Sequence, residues 1–380
     1  MSDTSNLIFY SQSSVGTDWD CSQKRYLSSE YAGQGLTINE TSLPLFIGEV
    51  LHAGLAAIAH GIDIDELAVT AVEQIKSTLL SGRQDDGYVS SEEETYASEQ
   101  GALVEGLLRG FHRHVWPILM SQYEIVSIEG ERVFRHDEYG NADPKGRFVF
   151  MSKPDLIVRD KEGNLWYIEY KSTSSNKEAW TNSWKTAIQL HSGIRAVEQM
   201  LNEKVTGVIV QGLYKGYVAS GKSTSPFVYG YFKAGDPPFT KDRWSYTYVA
   251  GMKKYPVWER EGGVKRWVEE MPDAVLAEQF PQVPPIFIND EQIDAFFRQR
   301  AIREAEIAEG AARIAGDAPF DDLQDVKDLY FPQNFSKCNP SFGYGCPFSR
   351  ICHGPKVDPL TLGYQLRDVS HREKFKELVK

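Results

Sequence analysis

Apolar residues recur along the chain at two different periods, one typical of helices and one typical of strands. The helical period predicts helices over five segments: 45–58, 63–80, 91–120, 182–201 and 290–315. Shorter runs of β-branched and aromatic residues predict strands over four others: 123–134, 153–159, 165–171 and 205–213. This succession of helices and strands predicts an α/β fold.

The strands 153–159 and 165–171 are predicted to form a β-hairpin, because a polar turn with a Gly-Asn pair separates two apolar runs. Glu169 and Lys171 lie two residues apart, so both side chains project from one face of their strand. Asp155 opens the opposing strand, where the hairpin brings it back towards Glu169. We therefore expect two acids and a lysine to converge.

Two carboxylates bind a hard divalent cation through oxygen, and such an ion activates water and stabilises charge on a phosphoryl group. The lysine can position the nucleophile or offset developing negative charge. The alternative is that Glu169 and Lys171 are an ordinary exposed pair at the end of a strand. The Pro-Asp dipeptide at 154–155 and the apolar surroundings favour the site.

Composition limits the class of protein. The chain has 380 residues, of which 41% are hydrophobic and 25% charged, as in soluble globular proteins of one large or two ordinary domains. No apolar run approaches the length of a membrane span and the first residues are polar, so we expect no signal peptide, no membrane association and a cytoplasmic location. The net charge of −12 argues against coating nucleic acid by bulk attraction, although a groove can still be locally basic.

The four cysteines lie at the two ends of the chain: Cys21, Cys338, Cys346 and Cys352. One thiol near the start and three crowded near the end predict a four-thiolate metal or cluster site. The tight Cys-x-x-Cys pair of zinc knuckles and the ferredoxin spacings are both missing. Four unrelated buried cysteines are the alternative.

Two further stretches have competing interpretations. His52 lies among apolar residues of a predicted helix, where a histidine is usually a core residue and less often a ligand. Residues 216–223 satisfy the phosphate-loop pattern G-x-x-x-x-G-K-[ST]. That loop needs a helix directly after it, whereas a strand-like sequence with an early proline follows, so we predict a hairpin there.

Pro154-Asp155 and Glu169-Tyr170-Lys171 occupy the places of the signature of the PD-(D/E)XK nuclease superfamily, and the chain resembles that family. The stretch Cys21-Ser22-Gln23-Lys24-Arg25-Tyr26 and the closing Cys-Pro at 346–347 with Cys352 resemble its RecB-like branch. That branch includes AddB-type and CRISPR-adaptation nucleases and carries an iron–sulfur cluster. The spacing from Cys338 to Cys346 is wider than is usual there.

The resemblance implies a set of site residues. His52, in a Gly-x-x-x-His helix, would bind Mg²⁺ or Mn²⁺ together with Asp155, Glu169 and the Tyr170 carbonyl. Lys171 would orient or help deprotonate the attacking water.

Two polar residues outside the signature also have counterparts in the family. Gln189 matches the glutamine of the family's Gln-x-x-x-Tyr motif, with Gly193 in place of the tyrosine, and would contact DNA phosphate or orient the site. Glu129 matches an acid that these enzymes often carry, and an exposed acidic strand explains it equally well.

The resemblance also implies an organisation. We expect a restriction-endonuclease-like core, with a central mixed sheet flanked by helices, over residues 121–290, including a β-rich insertion at about 214–275. A helical region with the first cluster cysteine would precede it (1–120). A C-terminal helix and a cysteine-rich staple would pack back on the N-terminus (291–380).

The expected function is a metal-dependent DNA nuclease of a bacterial or phage-infected cell, an exonuclease that prefers single-stranded or free ends and acts in recombination or repair. A [4Fe-4S] cluster, or zinc as the alternative, would join the chain ends, and a recombination or repair protein is a possible partner. The alternatives are a non-catalytic scaffold with the same fold and, through residues 216–223, a P-loop NTPase.

Overall fold

The computed structural model describes residues 6–38, 42–81, 89–174, 177–184, 188–219, 222–233, 244–245, 250–287, 289–316, 320–338, 345–354, 357–368 and 376. The helices are α1 (Gln12–Asp20), α2 (Ser22–Arg25), α3 (Leu43–Ala59), α4 (Ile64–Ser81), α5 (Ser91–Gly110), α6 (Trp116–Gln122), α7 (Lys177–Ser183), α8 (Ile188–Leu201), α9 (Gly263–Glu270), α10 (Asp273–Gln279), α11 (Asp290–Ala315), α12 (Phe320–Tyr330) and α13 (Ser349–His353). The strands are β1 (Ile8–Ser11), β2 (Leu36–Ile38), β3 (Tyr123–Ile128), β4 (Arg132–His136), β5 (Phe148–Ser152), β6 (Leu156–Asp160), β7 (Leu165–Thr173), β8 (Val205–Tyr214), β9 (Tyr217–Ala219), β10 (Lys222–Thr224), β11 (Tyr229–Lys233), β12 (Trp244–Ser245), β13 (Met252–Pro256) and β14 (Tyr364–Leu366).

A mixed four-stranded sheet in the order β3-β6-β7-β8 forms the centre of the fold. The β3–β6 and β6–β7 pairs are antiparallel, and β7–β8 is parallel. A second sheet, β1-β5-β4, lies close by. The predicted α/β class with a central mixed sheet flanked by helices is confirmed.

The sheet separates two apolar cores, because alternate residues of each strand face opposite sides. On one side Leu156, Ile168 and Ile209 pack with α3, α4 and α5. On the other side Tyr167 and Val208 pack with α8, α11 and the aromatic residues of β4 and β5. The strands that carry the candidate site are therefore held from both faces.

The predicted central hairpin is present, with Leu156 opposite Ile168 and Arg159 opposite Leu165. Its turn is closed by Asp160, whose Oδ1 accepts hydrogen bonds from the backbone N–H groups of Glu162 and Asn164. Gly163 has a φ of +90°, which glycine adopts without strain. The turn chemistry thus sets the register that brings Asp155 beside Glu169.

The predicted strand 123–134 is wrong as a single element. The structure divides it into β3 and β4, which belong to different sheets. A bulge interrupts the pairing between Ile125 and Ser127, and Glu129 has a positive φ of 41°. Residues 129–132, which are Glu, Gly, Glu and Arg, interrupt the apolar pattern where the two strands separate.

Two predicted helices also differ from the structure. The helix predicted over 91–120 has a π-helical turn over Phe111–Val115 between α5 and α6. The helix predicted over 182–201 is described as α7, which begins at Lys177, and α8. The remaining predicted elements agree with α3, α4, α11 and β8 to within a few residues.

The two ends of the described chain pack together. Strand β14 pairs antiparallel with β2, so that Tyr364 lies opposite Ile38. Tyr26 and Leu27 share an apolar cluster with Phe331, Phe348 and Tyr364. In a separate finding, none of the described helices is both long and apolar enough to cross a membrane.

Candidate functional site

Asp155 is the residue on which the site is built. It is buried, and its Oδ2 accepts a 2.7 Å hydrogen bond from the backbone N–H of Tyr170. The pairing of β6 with β7 ends at Leu156 opposite Ile168. Beyond that pair, the N–H of Tyr170 has no backbone partner on β6 and donates to the Asp155 side chain instead. The notch at the start of β6 therefore leaves room for a ligand beside β7.

His52 reaches this notch from α3. Its Nδ1 lies 2.9 Å from Asp155 Oδ1, and the side chain is 27% exposed. Burial lowers the pKa of His52, but the hydrogen bond and charge of Asp155 outweigh burial, so the pKa lies above its ordinary value. His52 is thus bonded to a carboxylate at the edge of the core, and its Nε2 points to no described hydrogen-bond partner.

Glu129, for which the sequence left two interpretations, lies in one group of candidate metal ligands with His52 and Asp155. One ligand atom from each of His52, Glu129 and Asp155 lies within 4.8 Å of the others. The backbone N–H of Glu129 donates to the carbonyl of Asp155 at 3.0 Å, and Lys153 Nζ lies 2.8 Å from its carboxylate. The signal in the sequence is the Glu-Gly step at 129–130, where an extended strand can break.

Glu169 and Lys171 lie side by side on β7, as predicted. Lys171 Nζ is 2.5 Å from Glu169 Oε1, and the Tyr167 hydroxyl donates to Oε2. Burial raises the pKa of the Glu169 carboxyl and the charge of Asp155 adds to the increase, while Lys171 and Tyr167 offset part of it. Burial lowers the pKa of Lys171, but Glu169 and Asp155 outweigh it, so its pKa is raised.

These donors fit a hard divalent cation. An octahedral ion with ligands at about 2.1 Å places neighbouring ligand atoms about 3 Å apart and opposite ones about 4 Å apart. One ligand atom from each of His52, Glu129 and Asp155 lies within 4.8 Å of the others, close enough for the three to share one ion. A ligand set of imidazole nitrogen and carboxylate oxygen suits Mn²⁺. Mg²⁺ prefers oxygen, so it suits a set with few nitrogen ligands.

A cleft of about 440 Å³ opens beside Glu169 and Lys171. Its opposite wall comes from the N-terminal residues Ser11, Gln12 and Ser13, which sequence reasoning did not assign to the site. These residues begin α1, where Ser11 and Ser14 form a reciprocal capping box. A substrate can therefore reach both side chains.

Two other predicted residues are placed as follows. Gln189 is the second residue of α8, and its side chain lies outside the described part of the structure. Tyr170 stays a predicted ligand through its carbonyl, while its ring is buried edge-on against Phe111 at 5.5 Å between centroids.

The four cysteines meet where the chain ends pack together, and none forms a disulfide. The N–H of Cys346 donates to the Cys338 carbonyl at 3.0 Å, and Cys21 accepts a hydrogen bond from the N–H of Asn334 at 3.3 Å. Burial raises the pKa of Cys352 to about 11, and the other three thiols contribute to the increase. Ionising such a group requires a nearby positive charge, which a metal or cluster supplies.

Residues 216–223 form the hairpin that the sequence predicts. Strands β9 and β10 pair antiparallel, with Tyr217 opposite Thr224, while residues 220–221 lie outside the described part. Strand β11 follows at Tyr229, so no helix directly follows the loop. The helix that a phosphate loop requires directly after it is therefore missing from the described residues that follow β10.

The fold and the site together define a class of protein: an α/β protein with acids and a lysine at a notch in a mixed sheet, suited to metal-assisted phosphodiester hydrolysis. A family model described as the PD-(D/E)XK nuclease superfamily matches residues 10–353, and the chain belongs to this superfamily. No curated protein matches the chain. Membership assigns a metal-dependent nuclease function in general, with DNA as the implied substrate.

Proposed function

We propose that the protein is a Mg²⁺- or Mn²⁺-dependent deoxyribonuclease that hydrolyses phosphodiester bonds, and specifically an exonuclease with a preference for single-stranded ends. One observation carries the proposal: ligand atoms of His52, Glu129 and Asp155 lie within 4.8 Å of one another, beside the contact between Glu169 and Lys171. A cation-binding group next to an ammonium group is what hydrolysis of a charged diester needs.

His52, Asp155 and Glu129 would hold the ion, with Glu169 and the Tyr170 carbonyl as the further predicted ligands. The ion would activate water and stabilise negative charge on the phosphoryl oxygens. The N–H of Tyr170 fixes the Asp155 carboxylate, and the Tyr167 hydroxyl fixes that of Glu169. Both carboxylates are thus oriented before an ion binds.

Lys171 would position the attacking water. One of its three N–H groups is directed to Glu169, which leaves two for water or a phosphoryl oxygen in the adjoining cleft. The carboxylate of Glu169, which is itself fixed by Tyr167, would hold the Lys171 ammonium beside the phosphate that is cleaved.

The test compares Lys171→Ala with Lys161→Ala, which alters an exposed lysine in the turn of the same hairpin. With a labelled DNA strand and Mg²⁺ or Mn²⁺, we expect Lys171→Ala to lose at least about a hundredfold in rate, as removal of a general acid–base or charge-stabilising group does. Lys161→Ala is expected to cleave normally. Undiminished cleavage by Lys171→Ala would rule out the assignment.

Exonuclease action is tested with linear and circular single strands of the same sequence. We expect the linear strand to be degraded from an end and the circle to survive. Cleavage of the circle at a similar rate would make the enzyme an endonuclease and leave the metal site unaffected.

We also propose that Cys21, Cys338, Cys346 and Cys352 hold a [4Fe-4S] cluster with a structural role. The convergence of thiols from both chain ends supports a shared metal or cluster, and the resemblance to RecB-like nucleases favours iron–sulfur over zinc. Protein purified without oxygen is expected to absorb near ~400 nm, as thiolate-bound iron–sulfur clusters do. One zinc ion per chain with no iron would identify the alternative.

A further inference from the structure

A second cleft, of about 340 Å³, lies at the end of β7 beyond the candidate site. We call it the Lys215 cleft; the residues of its lining that matter here are Ile47, Tyr96, Ser174, Lys215, Tyr229 and Lys254. The function proposed above makes no use of it.

The cleft is close to the candidate site along two elements. Lys171 and Ser174 are three residues apart on extended chain, which is about 10 Å. Ile47 and His52 are five residues apart on α3, which is about 7.5 Å along the helix axis. Because side chains alternate along β7, Lys171 projects to one face, while Ser174 and the Lys215 cleft lie on the face that packs on α3. His52 enters the site from that same side. A strand that leaves the His52–Asp155 site on the α3 side of β7 therefore meets the Lys215 cleft.

Lys215 follows β8 directly, and its backbone N–H donates to the carbonyl of Thr173 at 2.7 Å. The side chain is half-buried, and burial alone lowers the pKa of its ammonium group. Within the described part of the chain no carboxylate pairs with it. Lys204, at the other end of β8, differs: it lies 2.9 Å from Asp290 and 3.4 Å from Glu198.

A partly desolvated charge without a counterion costs stability until an anion binds. The other charged residues that line the cleft are Lys254 and Glu99. Lys254 Nζ lies 3.2 Å from the centre of the Tyr229 ring, and the Tyr229 hydroxyl donates to Glu99. Among the described residues that line it, the cleft has two ammonium groups and one carboxylate, and that carboxylate already accepts a hydrogen bond.

We propose that the Lys215 cleft binds an internal phosphate of the DNA strand whose scissile phosphate lies at the His52–Asp155 site. The proposal rests on the proposed nuclease function. At the rise of about 3.4 Å per nucleotide of a stacked strand, a separation of 10 Å corresponds to about three nucleotides. Lys215 holds the phosphate, and the exposed ring of Tyr96 offers a surface for a base.

The test measures the affinity of the full chain for an end-labelled twelve-residue oligothymidylate in EDTA, which prevents metal-dependent cleavage, over a series of salt concentrations. We expect Lys215→Met to raise Kd about tenfold, near the lower end of what a hydrogen bond to a charged group contributes. The slope of log Kd against log salt should fall by about 0.7, the contribution of one phosphate contact on a single strand.

Lys204→Met is the matched control, because it removes the same charge from the opposite end of β8. It should bind the oligonucleotide as the unaltered chain does. The thermal midpoint of Lys215→Met should be equal or higher, since an uncharged side chain needs no counterion. If that variant is unstable, Lys215→Gln is expected to give the same two changes in binding.

Three results would overturn the proposal or locate its failure. Unchanged affinity and salt slope in a folded Lys215 variant, while the unaltered chain binds and cleaves DNA, would reject the cleft alone. An equal rise in Kd for Lys204→Met would show that the loss of affinity depends only on the net charge of the protein, and would also reject phosphate binding in the cleft. An unaltered chain that neither binds nor cleaves DNA would reject the nuclease proposal together with the cleft.

Discussion

At the residue scale, Glu129 combines a costly backbone conformation with a place among candidate ligands. A residue other than glycine at a φ of 41° costs about 1 kcal/mol. A ligand atom of its carboxylate lies within 4.8 Å of ligand atoms of His52 and Asp155. Strained residues of this kind cluster at ligand-binding and active sites.

We predict that Glu129→Gln raises the Mg²⁺ or Mn²⁺ concentration for half-maximal cleavage about tenfold or more, since residues that support a metal contribute 10–100-fold in affinity. The measurement is a metal titration of cleavage rate. Glu124→Gln, in the exposed part of β3, is the control and should titrate normally. An unchanged midpoint for Glu129→Gln would remove this residue from the ligand set.

His136 permits a prediction about pH. It is fully buried between Phe134 and Phe148, where Nδ1–H donates to the Asp137 carbonyl and Nε2 accepts from the Tyr10 hydroxyl. Burial lowers its pKa to about 4. In the unfolded chain the pKa is about 6.5, so the unfolded state binds the proton first as the pH falls.

Stability should therefore decrease as the pH falls from about 6.5 to 4, by up to about 3 kcal/mol from this residue. His136→Gln should be less stable than the unaltered chain at pH 7, and the difference should shrink at pH 4.5. Urea unfolding at the two pH values measures it. A difference that stays constant would show that His136 is not kept neutral by the fold.

At the element scale, the hairpin and its turn could be predicted from sequence because local chemistry determines them. Asp160 and Gly163 fix the turn, and two-residue alternation fixes the faces of Glu169 and Lys171. The change of sheet at Glu129 is determined less locally. The Glu-Gly step permits a break in the strand, but tertiary contacts decide which sheet each half joins.

The candidate site shows the same division. His52, Asp155, Glu169 and Lys171 were predicted from motifs, whereas Ser11, Gln12 and Ser13 carry no motif of their own and reach the site because β1 pairs with β5. Residues brought in by such long-range pairing leave no local pattern in the sequence. Lys215 belongs to this group as well.

Helix α5 provides a packing prediction. A Cβ at Gly106 would lie 2.4 Å from the Cβ of Phe227, which is fully buried. Gly106→Ala should therefore destabilise the protein by about 2 kcal/mol through overpacking, despite the higher helix propensity of alanine.

Gly16 in α1 is the matched control, since nothing lies within 4 Å of a Cβ there. Gly16→Ala should stabilise by about 0.5–1 kcal/mol. Urea unfolding compares the two variants. A stable Gly106→Ala protein would mean that α5 and Phe227 separate more easily than their contact indicates.

At the scale of the whole molecule, the cysteine group and the β2–β14 pair join the two ends of the chain. We predict that Cys21→Ser and Cys352→Ser, from opposite ends, each lower the iron content and the thermal midpoint, because binding of a structural metal contributes to folding. Iron analysis and thermal unfolding of protein purified without oxygen measure both. Normal iron in either variant would exclude that thiol from the ligand set.

Pairing of β2 with β14 also has a consequence for the order in which the protein matures on the ribosome. Strand β2 emerges first, and its partner β14 is synthesised only after the roughly 325 residues between them. At 5–20 residues per second the wait is about 15–60 s. During that interval the edge of β2 is open to chaperones or to a neighbouring nascent chain, so slow translation of the segment between β2 and β14 should favour misassembly at this strand.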